Sequence, residues 1–166
     1  MTTNSATLTV TSSTFVEGGR IPESMVYNGF GHSGANRSPD LRWSGAPAGT
    51  KSFAITCFDP DAPTTVGFWH WLLFNIPAST TSIAAGAGAL GKNPPGTVMG
   101  YTDMSVGEYV GPAPPPGPDH KYEFNVYALD VERLDAGPGA TGAFIMFNIH
   151  FHTLGKGTLT GLYGGS

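Results

Sequence analysis

SFAITCF, residues 52–58, is almost continuously apolar and carries the β-favouring pair Ile55-Thr56 at its centre. A run of that length, closed by the turn-forming Asp59-Pro60-Asp61-Ala62-Pro63, predicts a central strand covered on both faces. WHWLLFNI, residues 69–76, predicts a second strand of the same kind, and YEFNVYAL, residues 122–129, a third. Leu8–Thr11 alternates apolar and polar residues and reads as a half-buried strand. The class is therefore mainly β.

The rest of the composition agrees. The 166 residues include 24 Gly and 14 Pro, which favour turns and extended segments, while only 12% are charged. The length predicts a single domain over residues 1–166. The net charge is −4 and Lys and Arg never cluster, which argues against a nucleic-acid partner and against attachment to anionic membranes. No apolar segment approaches the roughly 20 residues needed to span a bilayer. Met1–Thr14 lacks the basic-then-apolar pattern of a signal peptide. With Cys57 as the only cysteine, in an apolar run that predicts a buried inert thiol, a cytoplasmic location is expected.

Gly18–Gly49 reads as loop with one short strand near Met25–Tyr27. Pro77–Thr97 and Gly111–Asp119 read as long loops, the kind that carry function or move. Ala143–Leu154 is ambiguous. Phe144, Phe147, Phe151 and Leu154 fit a helical face, whereas Ile145, Phe147, Ile149 and Phe151 fit a strand face equally well.

Three motifs have the look of chemistry without its context. Gly86–Lys92, GAGALGK, matches most of a phosphate-binding loop, but Asn93 stands where a magnesium-holding Ser or Thr is needed and Pro94-Pro95 follow. Gly31–Ala35, GHSGA, lacks the helix that a nucleophile elbow requires, since Ser38-Pro39 comes too soon. His150 and His152 would share a face if extended, but no Cys or carboxylate is near them in sequence, so packing roles are expected and no metal site is assigned.

What remains comes from three segments. Pro60 and Pro63 hold the residues before them out of the helical region, so Asp59–Pro63 is a stiff turn at a strand end. Asp61 reads as a cap of that turn; Asp59 reads either as a second cap or as a site residue. Strand alternation places His70 on the face of Leu72 and Phe74. Residues 111–122, GPAPPPGPDHKY, form a rigid extended wall leading into a strand, on which His120 and Tyr122 point to one face and offer two donors to one anion.

In this order and spacing, DPDAP, WHW with Asn75, and GPAPPPGPDHKY resemble the phosphatidylethanolamine-binding protein family, also called Raf kinase inhibitor-like, and most closely its bacterial, actinobacterial-looking branch. Ser38–Trp43 (SPDLRW) and Gly161-Leu162-Tyr163 add to the resemblance, which spans roughly residues 36–163. It implies a large central antiparallel sheet packed on a smaller sheet with a few short helices, and it favours the helical reading of Ala143–Leu154. It also implies a pocket at the end of the central sheet for phosphate, phosphoryl head groups or acetate-like anions. The matching positions are Asp59, Pro63, His70, the Ala113 N–H, Pro114, Pro115, His120 and Tyr122, with Tyr163 as a further wall. Two departures stand out: Thr102-Asp103 replaces the family's usual Asn-Asp pair, and Gly155-Lys156-Gly157 interrupts the expected C-terminal helical region.

The leading reading is a binding or regulatory module without a cofactor, which takes a small anionic ligand or, through the pocket rim, inhibits a kinase or protease; a homodimer is expected. The alternative is an enzyme using Asp59, His70, His120 and Tyr122 for acid–base chemistry in a cyclisation, isomerisation or hydrolysis. A purely structural role through homodimerisation is the third reading.

Overall fold

Phe53, Ile55 and Cys57 face one side of their strand and Ala54 the other, and both sides are buried. This is the physical meaning of the unbroken apolar run. A computed structural model describes residues 5–164. In chain order its elements are β1 (Ala6–Thr7), β2 (Thr9–Thr11), β3 (Leu41–Ser44), β4 (Ser52–Asp59), β5 (Phe68–Pro77), β6 (Ser82–Ile83), β7 (Val98–Met99), β8 (His120–Leu129), α1 (Gly142–His152) and β9 (Thr153–Tyr163).

Six strands form the large sheet in the order β1-β9-β8-β4-β5-β7, and β2-β3-β6 form the small one. One face of β4, β5 and β8, with Phe53, Ile55, Trp71, Leu73, Phe124 and Val126, packs into the core that holds Val10 of β2, Trp43 of β3 and Ile83 of β6. The opposite face, with Leu72, Phe74 and Leu129, is covered by Ile145 and Ile149 of α1. Fully burying each such side chain is worth about 1.5–3 kcal/mol, so the three central strands anchor both layers. No helix among the described residues is long and apolar enough to cross a membrane.

The expected architecture is present, with differences that have physical causes. The large sheet is mixed rather than wholly antiparallel, because β1 joins its edge parallel to β9. Met25–Tyr27 is not a strand: Glu23–Met25 is one turn of 3-10 helix, closed by the Met25 and Val26 N–H groups on Pro22 and Glu23 carbonyls. The short strands β6 and β7 escape sequence reading, since β6 lies inside the expected loop Pro77–Thr97 and each has only two residues. The helical reading of 143–154 holds for Gly142–His152, capped by the Thr141 hydroxyl, which accepts from the Phe144 N–H. The Phe stripe is the outward face, however: Phe144, Phe147 and Phe151 are 49%, 62% and 63% exposed, and Ile145 and Ile149 are the buried residues. The reading of Met1–Thr14 as free of a signal peptide extends over residues 1–4, which lie outside the described residues.

The largest correction concerns the C-terminal region. Gly155-Lys156-Gly157 does not break a helix; it belongs to β9, an 11-residue strand paired with β8 along nearly its whole length. Gly155, Gly157, Leu159, Gly161 and Tyr163 form its buried face. Three of those five are glycines, and at each a side chain would meet another segment of the chain. A Cβ on Gly157 would stand 2.4 Å from the Leu8 carbonyl oxygen, and one on Gly161 would stand 2.6 Å from Ile21 Cγ1. Gly157→Ala therefore discriminates the two readings. In a helix it would stabilise by about 1 kcal/mol, whereas in this crossing it should destabilise by about 1–3 kcal/mol. Urea denaturation of the variant against the parent chain measures the sign.

Candidate functional site

His70 reaches the site through a fault in the pleat. Cys57 of β4 lies opposite Trp71, but the next residue, Phe58, lies opposite Trp69. One extra residue is thus accommodated in β5, a β-bulge, and such bulges re-aim side chains next to functional sites. Trp69 and Leu72 pack on the α1 side while Trp71 packs in the core between the sheets. His70 takes the core side too, its ring edge-on to Tyr122 with centroids 5.3 Å apart. Simple alternation had placed His70 with Leu72 and Phe74; the bulge reverses it. Asp103, in the variant Thr102-Asp103 pair, holds the start of this strand by accepting the Trp69 N–H at 2.8 Å and donating its own N–H to the Trp69 carbonyl.

The bulged imidazole is clamped twice by one residue. His70 Nδ1 donates to the Val110 carbonyl at 2.7 Å, and the Val110 N–H donates to the His70 carbonyl at 2.9 Å. That fixes the tautomer and leaves Nε2 without the proton. Burial lowers the His70 pKa, a shift opposed in part by the bond to Val110 and the charge of Asp59.

His120 and Tyr122 do lie on one face, as alternation predicts, with rings stacked at 19° and 6.3 Å. His120 Nδ1 donates to Asp59 Oδ2 at 2.7 Å, and the two side chains are 12% and 4% exposed. The other Asp59 oxygen accepts the Asp61 N–H at 2.8 Å. Asp59 therefore fills both of its open readings, capping the turn with one oxygen and orienting His120 with the other. Asp61 stitches the turn to β8, accepting the Lys121 N–H at 2.8 Å and pairing with Lys121 Nζ. That backbone donor is the main reason its carboxyl pKa is lowered, the Lys121 side chain adding to it. With Nδ1 committed, His120 Nε2 is the nitrogen free for a ligand. Burial, and next the negative charge of Asp59, push the Tyr122 phenol well above its usual range, so it stays a donor.

These groups share a cavity of about 260 Å³ whose lining contains every expected position: Asp59, Pro63, His70, Ala113, Pro114, Pro115, His120 and Tyr122. The Ala113 N–H has no hydrogen-bond acceptor among the described residues, which leaves it available to a ligand. Tyr163 is not part of the lining. Its hydroxyl donates to Glu23 Oε1 at 2.7 Å and Arg20 covers its ring.

Sequence reading missed two kinds of residue. Tyr27, Phe30, Phe68 and Met104 also line the cavity, and nothing in their local pattern marks them. Asn36 acts from behind: Oδ1 accepts the Gly111 N–H at 2.7 Å and Nδ2 donates to the Tyr109 carbonyl. It thereby pins the segment that clamps His70. Gly111 itself is required there, since a Cβ would stand 2.1 Å from the Met25 carbonyl oxygen. A signal existed only in the αL-tolerant asparagine, which sits at φ 52.

The set-aside motifs lie elsewhere. Gly86–Lys92 is a chain of turns whose Gly88 N–H donates to Ser38 Oγ. His150 and His152 are helical rather than extended, and His152 Nδ1 lies 2.8 Å from Asp130 Oδ1, a carboxylate distant in sequence. Cys57 is buried and its thiol pKa is raised well above the ordinary range by that burial.

The His70 shift has a stability consequence. The unfolded chain takes up a proton at His70 near pH 6.5, and the buried imidazole resists it. Stability at this residue is thus full above that pH and declines as pH falls below it. In His70→Gln the decline between pH 6.5 and 5 should be shallower than in the parent chain, as read by denaturant midpoints across that range.

The sequence profile of the phosphatidylethanolamine-binding protein family matches residues 11–164. The UPF0098 protein YbhB of Escherichia coli (strain K12) is 47% identical over 148 residues, covering 89% of this chain and 94% of that protein. An LppC protein of Mycobacterium tuberculosis, whose name marks it as a candidate lipoprotein, is 35% identical over 95% of this chain and 73% of its own. The crystal structure of Escherichia coli YbcL, described as a new member of the mammalian PEBP family, superposes with a TM-score of 0.93 at 39% identity, covering 96% of this chain and 99% of that one.

Proposed function

Because the chain belongs to the phosphatidylethanolamine-binding protein family, we propose that it binds a small anion, a phosphate, phosphoryl group or carboxylate, in the cavity at the ends of β4, β5 and β8. The observation that carries this is the Asp59–His120 pair. A carboxylate can only accept, so His120 Nδ1 must carry a proton, and the imidazole presents Nε2 to the cavity. When that nitrogen is protonated too, the cation is held in place by Asp59 and offers a charge-assisted bond to an anion. The Tyr122 hydroxyl and the Ala113 N–H supply neutral donors beside it. His70, kept neutral by burial, is a positioning group and an acceptor for a ligand hydroxyl.

The binding reading is supported by a lining without serine or cysteine, its one aliphatic hydroxyl being Thr64, and by Cys57 lying buried. The Asp59–His120 pair is also the geometry of an oriented general base. Turnover of a phosphoester or acyl ester that His120→Ala abolishes would replace the binding reading with the enzyme one.

A hydrogen bond to a charged group contributes about 1.5–3 kcal/mol. His120→Ala should therefore weaken binding of inorganic phosphate roughly tenfold to a hundredfold, with the fold retained because the side chain lies at a strand end. Asp59→Asn should lose a similar amount, since the amide no longer holds the cationic form. Calorimetric titration with phosphate measures both losses. Equal affinities in folded His120→Ala and parent chain would place the anion elsewhere.

A further inference from the structure

We infer that Phe30 is a specificity residue, the fixed roof over the mouth of the cavity, and that the ligand is an anion carrying a flat apolar arm. This rests on the anion-binding reading above and names the ligand class that reading leaves open.

Phe30 lines the cavity and yet is 71% exposed. It stands at φ 53, the left-handed region that bulky residues rarely adopt, between Gly29 and Gly31. A loop tip serving only as a turn would carry Gly, Asn or Asp at such a position. The tip is also not free to swing. Its base is closed by the Gly34 N–H on the Tyr27 carbonyl at 3.0 Å, and the His32 N–H on the Gly29 carbonyl tightens the turn. Two further bonds tie it to the proline wall: the Tyr27 N–H donates to the Pro112 carbonyl, and His32 Nε2 donates to the Pro114 carbonyl at 2.9 Å. The Phe30 ring lies on Tyr27, 5.8 Å away at 27°. The protein thus holds an exposed apolar ring in the lining of the same cavity that His120 and Tyr122 line.

The space and the chemistry fit an aryl or similarly flat group. A cavity of about 150 Å³ accepts a benzene ring, and this one offers about 260 Å³ for the ring and its anionic head together. Aromatic rims also attract ammonium groups, but Asp59 is the only carboxylate in the lining and both its oxygens are already engaged. An apolar arm matches these walls better than a cationic one.

The test is calorimetry with inorganic phosphate, phenyl phosphate and phosphoethanolamine on the parent chain, Phe30→Ala and Phe30→Trp. Phenyl phosphate should bind the parent chain about tenfold more tightly than either other probe, a ring contact of about 1.4 kcal/mol. Phe30→Ala should erase most of that advantage while leaving inorganic phosphate within about twofold, and Phe30→Trp should keep it. Equal affinity of phosphate and phenyl phosphate in the parent chain overturns the inference. So does a Phe30→Ala variant that loses both probes equally, or a Phe30-dependent preference for phosphoethanolamine. Phenyl phosphate binding that depends on Phe30 but is unchanged in His120→Ala upholds the roof and removes the anion site at His120. No binding of any probe removes both.

Discussion

One additional residue in β5, placed opposite the Cys57–Phe58 step, is the constraint on which the site depends. Without it His70 would face α1, among Leu72, Phe74 and Ile145, where an imidazole has no partner. With it, the ring turns into the space between the sheets and meets the Val110 carbonyl. The cost of a broken ladder is offset locally, because Asp103 takes up the Trp69 N–H and the Trp69 ring packs on Phe58 at 4.4 Å. A second shift in the same pairing, between Phe53 and Ile55, falls beside Asn75, which sits at φ 62 with its side chain accepting the Leu134 N–H. β5 therefore carries two irregularities against β4, whose pairing with β8 on its other side is regular.

That division explains which parts of the fold and site were legible in the sequence. β4 and β8 keep strict alternation against each other, so the two-sided burial of 52–58 and the shared face of His120 and Tyr122 could be read from spacing alone. The face of His70 could not, because a bulge leaves no mark in a run as apolar as WHWLLFNI. β9 was hidden for a different reason. Its buried positions are largely glycine, and a hydrophobic period carried by residues without side chains is invisible to a count of apolar ones. In α1 the pattern pointed to the wrong face, since the large Phe side chains lie outside and the smaller Ile145 and Ile149 meet the sheet.

The site's own residues divide in the same way. The expected lining positions came from the family resemblance that the strand-end motifs carry; spacing alone gave the shared face of His120 and Tyr122. Asn36 and the Tyr27–Gly34 loop were missed because they contribute through long-range backbone bonds, to Gly111, Pro112 and Pro114. Such bonds depend on how distant segments meet, which no local pattern encodes. The positions that line the cavity were thus named through the resemblance, while the groups that hold them at their angles were not.

The wall that carries Pro112, Pro114, Pro115, Pro116 and Pro118 has one more property. Prolines donate no backbone hydrogen bond, so this stretch offers fewer donors to a passing strand than a sheet edge would. Their rings also restrict the unfolded chain, so little backbone freedom is left to be lost when a guest arrives. An open mouth is normally both adhesive and soft. Here covalent geometry stiffens one wall before any guest arrives.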